Sequence, residues 1–184
     1  ENVACNNDAN GRTIAEKGGI DAILAAMKHD STGVQEHGCI ALVNVAGNVA
    51  TQRSIAEKGG IDVILAGMKQ HSDSTEVQRE GCYALAWVAR NNAATCRIIA
   101  EKGGIDVILA GMKQHPDSTE VQQKGCYALA RVNGRTIAEK GGIDVILAGM
   151  KQHPGSTGVQ ENGCYALGMV AAGNDANQRT IAEK

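Results

Sequence analysis

The phrase Glu-Lys-Gly-Gly-Ile-Asp recurs along this 184-residue chain, and no other feature limits its fold as much. Its glycine pairs are Gly18-Gly19, Gly59-Gly60, Gly103-Gly104 and Gly141-Gly142, in steps of 41, 44 and 38 residues. A period of about 42 belongs to stacked helical repeats or to propeller blades. Strand-like alternation is absent, and no Gly-His or Trp-Asp signature marks a blade, so helices remain. Residues 97–116 and 135–154 differ only at Ile98 against Thr136, which means recent duplication or deliberate design. The chain has no Phe, one Trp and three Tyr. Its core is therefore built from Ile, Leu, Val, Met, Ala and Cys, which suits thin helical layers better than one large core.

Each unit reads as three helices. A short first helix, as in 93–102 (AATCRIIAEK), stops at the glycine pair, a helix-end signal. The second runs from about Ile61 to His71, where Ile61, Ile64, Leu65 and Met68 form one apolar face. The third opens with a Thr-x-Val-Gln box, at Thr32 to Gln35, Thr75 to Gln78, Thr119 to Gln122 and Thr157 to Gln160. There Thr is expected to cap the free backbone N–H groups while Gln reaches back to the cap residue.

A glycine-started helix, a capped longer helix carrying Gly-Cys-Tyr-Ala-Leu-Ala-x-Val-Ala and a short Asn-x-x-x-Arg-x-Ile-Ala-Glu-Lys helix together resemble the armadillo repeat. HEAT repeats are the runner-up, but they lack the short first helix. The resemblance covers nearly the whole chain. It implies an all-α, right-handed α-solenoid of about four three-helix armadillo-type repeats at 18–58, 59–102, 103–140 and 141–184. Residues 1–17 then supply the end of a preceding unit. Neither end reads as a polar cap, which points to part of a longer array or to ends covered by neighbours.

Placed around the third helix at about 100° per residue, Val77, Gly81, Ala84, Leu85, Val88 and Ala89 share one apolar stripe. Tyr83, Trp87 and Glu80 fall opposite, with Arg79 and Arg90. Tyr127, Arg131 and Lys124 repeat the arrangement, and Tyr165 follows it. All four aromatic residues thus lie off the core stripe, where binding surfaces use them. The plainer alternative is that they pack between successive third helices and close the inner surface.

The resemblance implies that third helices line a concave groove. Peptide-binding armadillo proteins, the nuclear-import adaptors among them, carry a Trp-x-x-x-Asn pair there. The Asn clamps an extended peptide and the Trp walls its side-chain pockets. The matching pairs here are Ile40/Asn44, Tyr83/Trp87, Tyr127/Arg131 and Tyr165/Met169. Only Asn44 keeps the amide, and no unit keeps the Trp. One turn earlier stand His37, Glu80, Lys124 and Asn162, of mixed sign. Import-receptor activity is therefore not expected, and the groove favours a partner of mixed chemistry.

Other sites recede. The formal charge of −2 and a pI near 6.2 leave no footprint for nucleic acid. No apolar run reaches a membrane span, and no signal-peptide pattern opens the chain. Cys39, Cys82, Cys126 and Cys164 repeat at one position, too far apart for disulfides, and read as buried thiols. Cys5 and Cys96 precede the short helices and read as free thiols, which suits an intracellular, cytoplasmic setting. No cysteine–histidine spacing suits zinc, and no cofactor or metal is expected. His29, His71, His115 and His153 end the second helices, where a cation suits the helix dipole. Asp62, Asp106 and Asp144 suit the first turn of those helices, and the Glu-Lys pairs read as solvated ends. No nucleophile, base and orienting acid converge, so no enzyme and no small-molecule substrate are expected.

The expected function is a non-catalytic scaffold that binds a peptide or helix of a protein partner along the concave face. The alternatives are a structural spacer in a large assembly and the regulatory region of a larger protein. One irregularity stands apart. Two residues lie between Val132 and Arg135, where eight separate Val88 from Arg97. An abbreviated or distorted first helix at 134–140 is expected, with a local change of superhelix twist. The first repeat is also short, by two residues before its third helix and one after.

Overall fold

A computed structural model describes residues 8–132 and 134–184, and Cys5 lies outside them. The described residues form helices joined by short loops, without strands. The helices fall into trios: α1 (Asp8–Glu16), α2 (Gly19–Ala26), α3 (Thr32–Val45); α4 (Val49–Glu57), α5 (Gly60–Gln70), α6 (Thr75–Ala89); α7 (Ala93–Glu101), α8 (Gly104–Gln114), α9 (Thr119–Leu129); α10 (Gly134–Glu139), α11 (Gly142–Gln152), α12 (Thr157–Ala171). A further first-type helix, α13 (Asp175–Ala182), follows. The third helices stack side by side in the order α3, α6, α9, α12, and α5, α8 and α11 form a second layer behind them.

The glycine pair makes the corner between first and second helices. Gly103 takes a left-handed φ of 75°, which glycine adopts without strain, and it closes α7 while opening α8. Its neighbour Gly104 meets a different demand. A Cβ there would lie 2.5 Å from Ile99 Cγ2 and 2.8 Å from the Ile99 carbonyl oxygen. One glycine supplies the turn and the other the close approach.

The third helices start differently from the expected box. Ser31, Ser74, Ser118 and Ser156 are the caps, each accepting from the backbone N–H of the Val three residues on. The Thr stands one place inside the helix. The Gln does not reach back to the cap. Gln78 donates from Nε2 to the carbonyls of Met68 (2.7 Å) and His71 (3.1 Å), and Gln122 does the same to Met112 (2.7 Å) and His115 (3.0 Å). Gln160 repeats the pair, and Gln35 reaches Met27. The carbonyls at the end of each second helix draw the amide inward, and those of His71, His115 and His153 also accept from the backbone N–H of Ser74, Ser118 and Ser156.

The core runs through the whole stack. Ile20, Ile61, Ile64, Ile105, Ile108 and Ile146 are sealed from solvent, and Leu42, Leu85 and Leu129 face them from the third helices. The apolar stripe expected on α6 is buried, and so are Cys82 and Ala86, because α6 lies between α3 and α9. The stripe is thus wider than one partner would need.

The shortened junction costs two helices. α10 keeps 6 residues against 9 in α4 and α7, and α9 keeps 11 against 15 in α6 and α12. The expected abbreviated helix is present, and it survives because Ile137 is fully buried, as Ile55 and Ile99 are in the equivalent helices. A Cβ on Gly134 would fall 2.5 Å from the Met169 carbonyl oxygen, so the chain passes close against α12. A hollow of about 570 Å³ lies beside the junction, lined by Cys96, Arg97, Arg131 and Thr136 among others.

Cys39, Cys82 and Cys126 are buried, and burial pushes their thiols up to about 12. Cys164, at the same position on α12, is exposed, because no described helix covers that face. Cys96 lies inside α7 rather than before it, half-buried, with its Sγ directed at the Ala89 carbonyl. Among the described thiols, Cys164 is expected to react first with a maleimide at pH 8, and Cys39, Cys82 and Cys126 only on unfolding. Mass mapping of a timed reaction reads this directly. The same burial has a pH consequence. Between about pH 9 and 12 the unfolded chain gives up thiol protons that the folded chain keeps. Stability is therefore whole below pH 9 and falls as pH rises through that window.

Candidate recognition face

The candidate residues occupy three register positions about one helical turn apart on the third helices, except Arg131, which lies in the turn just after α9. The first position carries His37, Glu80, Lys124 and Asn162; the second Ile40, Tyr83, Tyr127 and Tyr165; the third Asn44, Trp87, Arg131 and Met169. The aromatic ones meet. Tyr83 and Trp87 lie edge to face with centroids 6.1 Å apart, and Tyr83 and Tyr127 stand 6.1 Å apart across neighbouring helices. Trp87 and Tyr127 are partly buried against the core, whereas Tyr165 is 45% and Met169 42% exposed. Trp87 and Tyr127 thus close the inner surface, and Tyr165 stands open to solvent.

Cations sit over these rings. Lys124 Nζ is 4.1 Å from the Tyr83 centroid, and the Arg90 guanidinium is 4.8 Å from that of Trp87. Arg131 lies 4.7 Å from the Tyr127 ring and 5.9 Å from Tyr165, and it donates to the Tyr127 hydroxyl at 3.0 Å. Each pairing offers the ring's negative face to a cation. The acids nearby answer to Arg79, which pairs with Glu36 (3.4 Å), Glu80 (2.9 Å) and Glu120 (2.7 Å) across three helices. Burial pushes the Glu80 carboxyl up, while Arg79 and Lys124 pull it back.

Three donors on this face lack acceptors. Asn44 Nδ2, Trp87 Nε1 and Arg131 Nε are covered and have no hydrogen-bond partner among the described residues. His37 and Asn162 turn to their own helices, bonding the Gly33 carbonyl at 2.7 Å and the Gly158 carbonyl at 2.8 Å. His37 also lines an apolar hollow of about 520 Å³ with Ile23, Val34 and Ala41, away from the rings.

Two ladders escaped the reading of the sequence. Lys58, Lys102, Lys140 and Lys184 pair with Asp21, Asp62, Asp106 and Asp144 at 2.7–2.8 Å, each joining one unit to the next. The equal periods of Asp and Lys were the available signal. The histidines also do more than end helices. His115 Nε2 donates to the Ser72 carbonyl at 2.7 Å, so its Nδ1 accepts from Thr75; His153 does the same to Pro116 and Thr119. Among the described residues no trio of His, Cys, Asp or Glu stands close enough to hold a metal ion, and no helix is long and apolar enough to cross a membrane.

These helices define a solenoid of stacked three-helix units with an aromatic, cation-bearing inner layer. Its fold is that of armadillo repeat arrays. A designed armadillo repeat protein in complex with the peptide (KR)4 matches at a TM-score of 0.87 over 98% of this chain and 76% of its own, with 19% identity. An engineered protein matches at 0.86, with 24% identity over 98% and 74%. Computationally designed armadillo repeat proteins for modular peptide recognition match at 0.84, with 19% identity over 98% and 76%. No protein-family model matches the sequence, and no curated protein matches it.

Proposed function

We propose that this chain is a non-catalytic recognition scaffold that holds a peptide segment of a protein partner along the concave face of α3, α6, α9 and α12. The repeats 18–58, 59–102, 103–140 and 141–184 each contribute one rung. The supporting observation is the run of Trp87, Tyr83, Tyr127 and Tyr165, off the core stripe and capped by cations. Rigid aromatic and Arg side chains give contact area at low entropic cost. The Asn44 and Trp87 donors are covered and unsatisfied, and a partner's carbonyls would serve them if their side chains turned outward. Similar designed arrays are peptide binders by their own descriptions.

The test is selection of a random peptide display library on the intact chain, beside a Tyr83→Ala/Trp87→Ala/Tyr127→Ala variant of equal helicity. Enriched peptides are expected to lose at least about tenfold in affinity on the variant, roughly 1.4 kcal/mol or more. Enrichment that the variant leaves unchanged would remove the groove from the account. A spacer within a large assembly is the second reading. It is favoured by the apolar hollow between α2 and α3, away from the rings, and by the exposed Cys164.

A further inference from the structure

We infer that the partner segment is acidic, with carboxylates interleaved among apolar or aromatic side chains; this rests on the groove reading above. Arg90, Lys124 and Arg131 lie on the candidate face over its rings, and among the described residues none of them is in ion-pair contact with a carboxylate, although Glu80 feels the charge of Lys124. The edge lysines 58, 102, 140 and 184 are all matched by aspartates. Acids are not scarce around the groove, but Arg79 engages Glu36, Glu80 and Glu120 together. On either side, α3 offers His37, Ile40 and Asn44 and α12 offers Asn162, Tyr165 and Met169, none of them acidic. Four cations, Arg79, Arg90, Lys124 and Arg131, thus stand against three carboxylates, Glu36, Glu80 and Glu120, and the middle of the groove carries a small excess of positive charge on a chain whose net charge is −2.

The cations are also held ready. A guanidinium lying flat on a ring keeps its edge N–H groups free for a two-point bond to a carboxylate. Arg131 lies over Tyr127 and Tyr165, with one terminal nitrogen given to the Tyr127 hydroxyl and a covered Nε that has no acceptor among the described residues, so part of its donor edge is left for a carboxylate. Stacking fixes these long side chains in advance, which lowers the entropy lost when an acid arrives. A lysine- or arginine-rich segment would meet like charge at three places, and like charge across an interface is strongly disfavoured.

The probes are three synthetic peptides of equal length: a Glu-Tyr repeat, a Lys-Tyr repeat and a Ser-Tyr repeat. The Glu-Tyr peptide is expected to bind the full chain at least about tenfold tighter than the Ser-Tyr peptide, and the Lys-Tyr peptide to bind weakest. The gap should close in Lys124→Gln/Arg131→Gln, and in high salt. Equal binding of the Glu-Tyr and Ser-Tyr peptides, lost together in the triple alanine variant, overturns the acidic preference and leaves the groove standing. Binding of none of the three overturns the acidic preference as well, and the library selection then decides the groove by itself.

Discussion

An Ile108→Ala variant is expected to lose about 2–5 kcal/mol of stability, the range for a fully buried branched side chain cut back to a methyl. Ile108 lies at the middle of α8, sealed from solvent, within the continuous core. A solenoid has no remote core to share the damage, because each unit touches only its neighbours. The loss should therefore be local. Hydrogen exchange is expected to show α7, α8 and α9 opening first, with α2 to α5 protected longer, and urea unfolding to become less cooperative. A loss below about 1 kcal/mol, or a uniform loss of protection, would mean that the stack does not transmit packing in this unit-by-unit way.

Replacing Gln122 by Ala should be the other large change. The amide is buried and ties α9 to the last carbonyls of α8 at Met112 and His115. Its loss leaves the buried Met112 carbonyl without its amide donor, at about 1–3 kcal/mol, while the His115 carbonyl keeps the backbone N–H of Ser118. Gln122 also lies against Gly149 of the next unit, where a Cβ would sit 2.5 Å from its Oε1. Gly149→Ala is thus expected to push the amide aside and reproduce part of the effect. Lys102→Ala, which breaks one exposed ion pair with Asp62, is the control and should cost less than about 1 kcal/mol. Denaturant midpoints of the three variants compare these directly. A Gln122→Ala loss no larger than the Lys102→Ala loss would contradict the role assigned to the amide.

These two cases show where the sequence was legible. Helix number, the glycine corners and the off-core aromatics follow from periods of 3.6 and about 42 residues, which are local properties. The role of Gln122 does not. Its position three residues after Thr119 imitates a capping box, yet Ser118 is the cap and the amide bonds a helix that ended earlier in the chain. The Asp62–Lys102 ladder is harder still, because its partners are separated by 40 residues and only stacking brings them together. Burial of Cys82 against exposure of Cys164 likewise depends on which helix has a neighbour. On the recognition face, residue types and register were readable, while the seating of each cation over a ring was not.

The spacing of the tyrosines carries one more consequence. Tyr83 and Tyr127, one repeat apart, have ring centres separated by 6.1 Å. Two residues of an extended strand advance about 6.6 Å. Protein and ligand would then share nearly the same ruling, so that a strand laid along the rungs stays in phase and presents every second side chain to the same kind of pocket. The residues of opposite parity would go unread. Under the proposed function, such a surface would act as a tape head, sampling alternate letters of the strand between these two rungs.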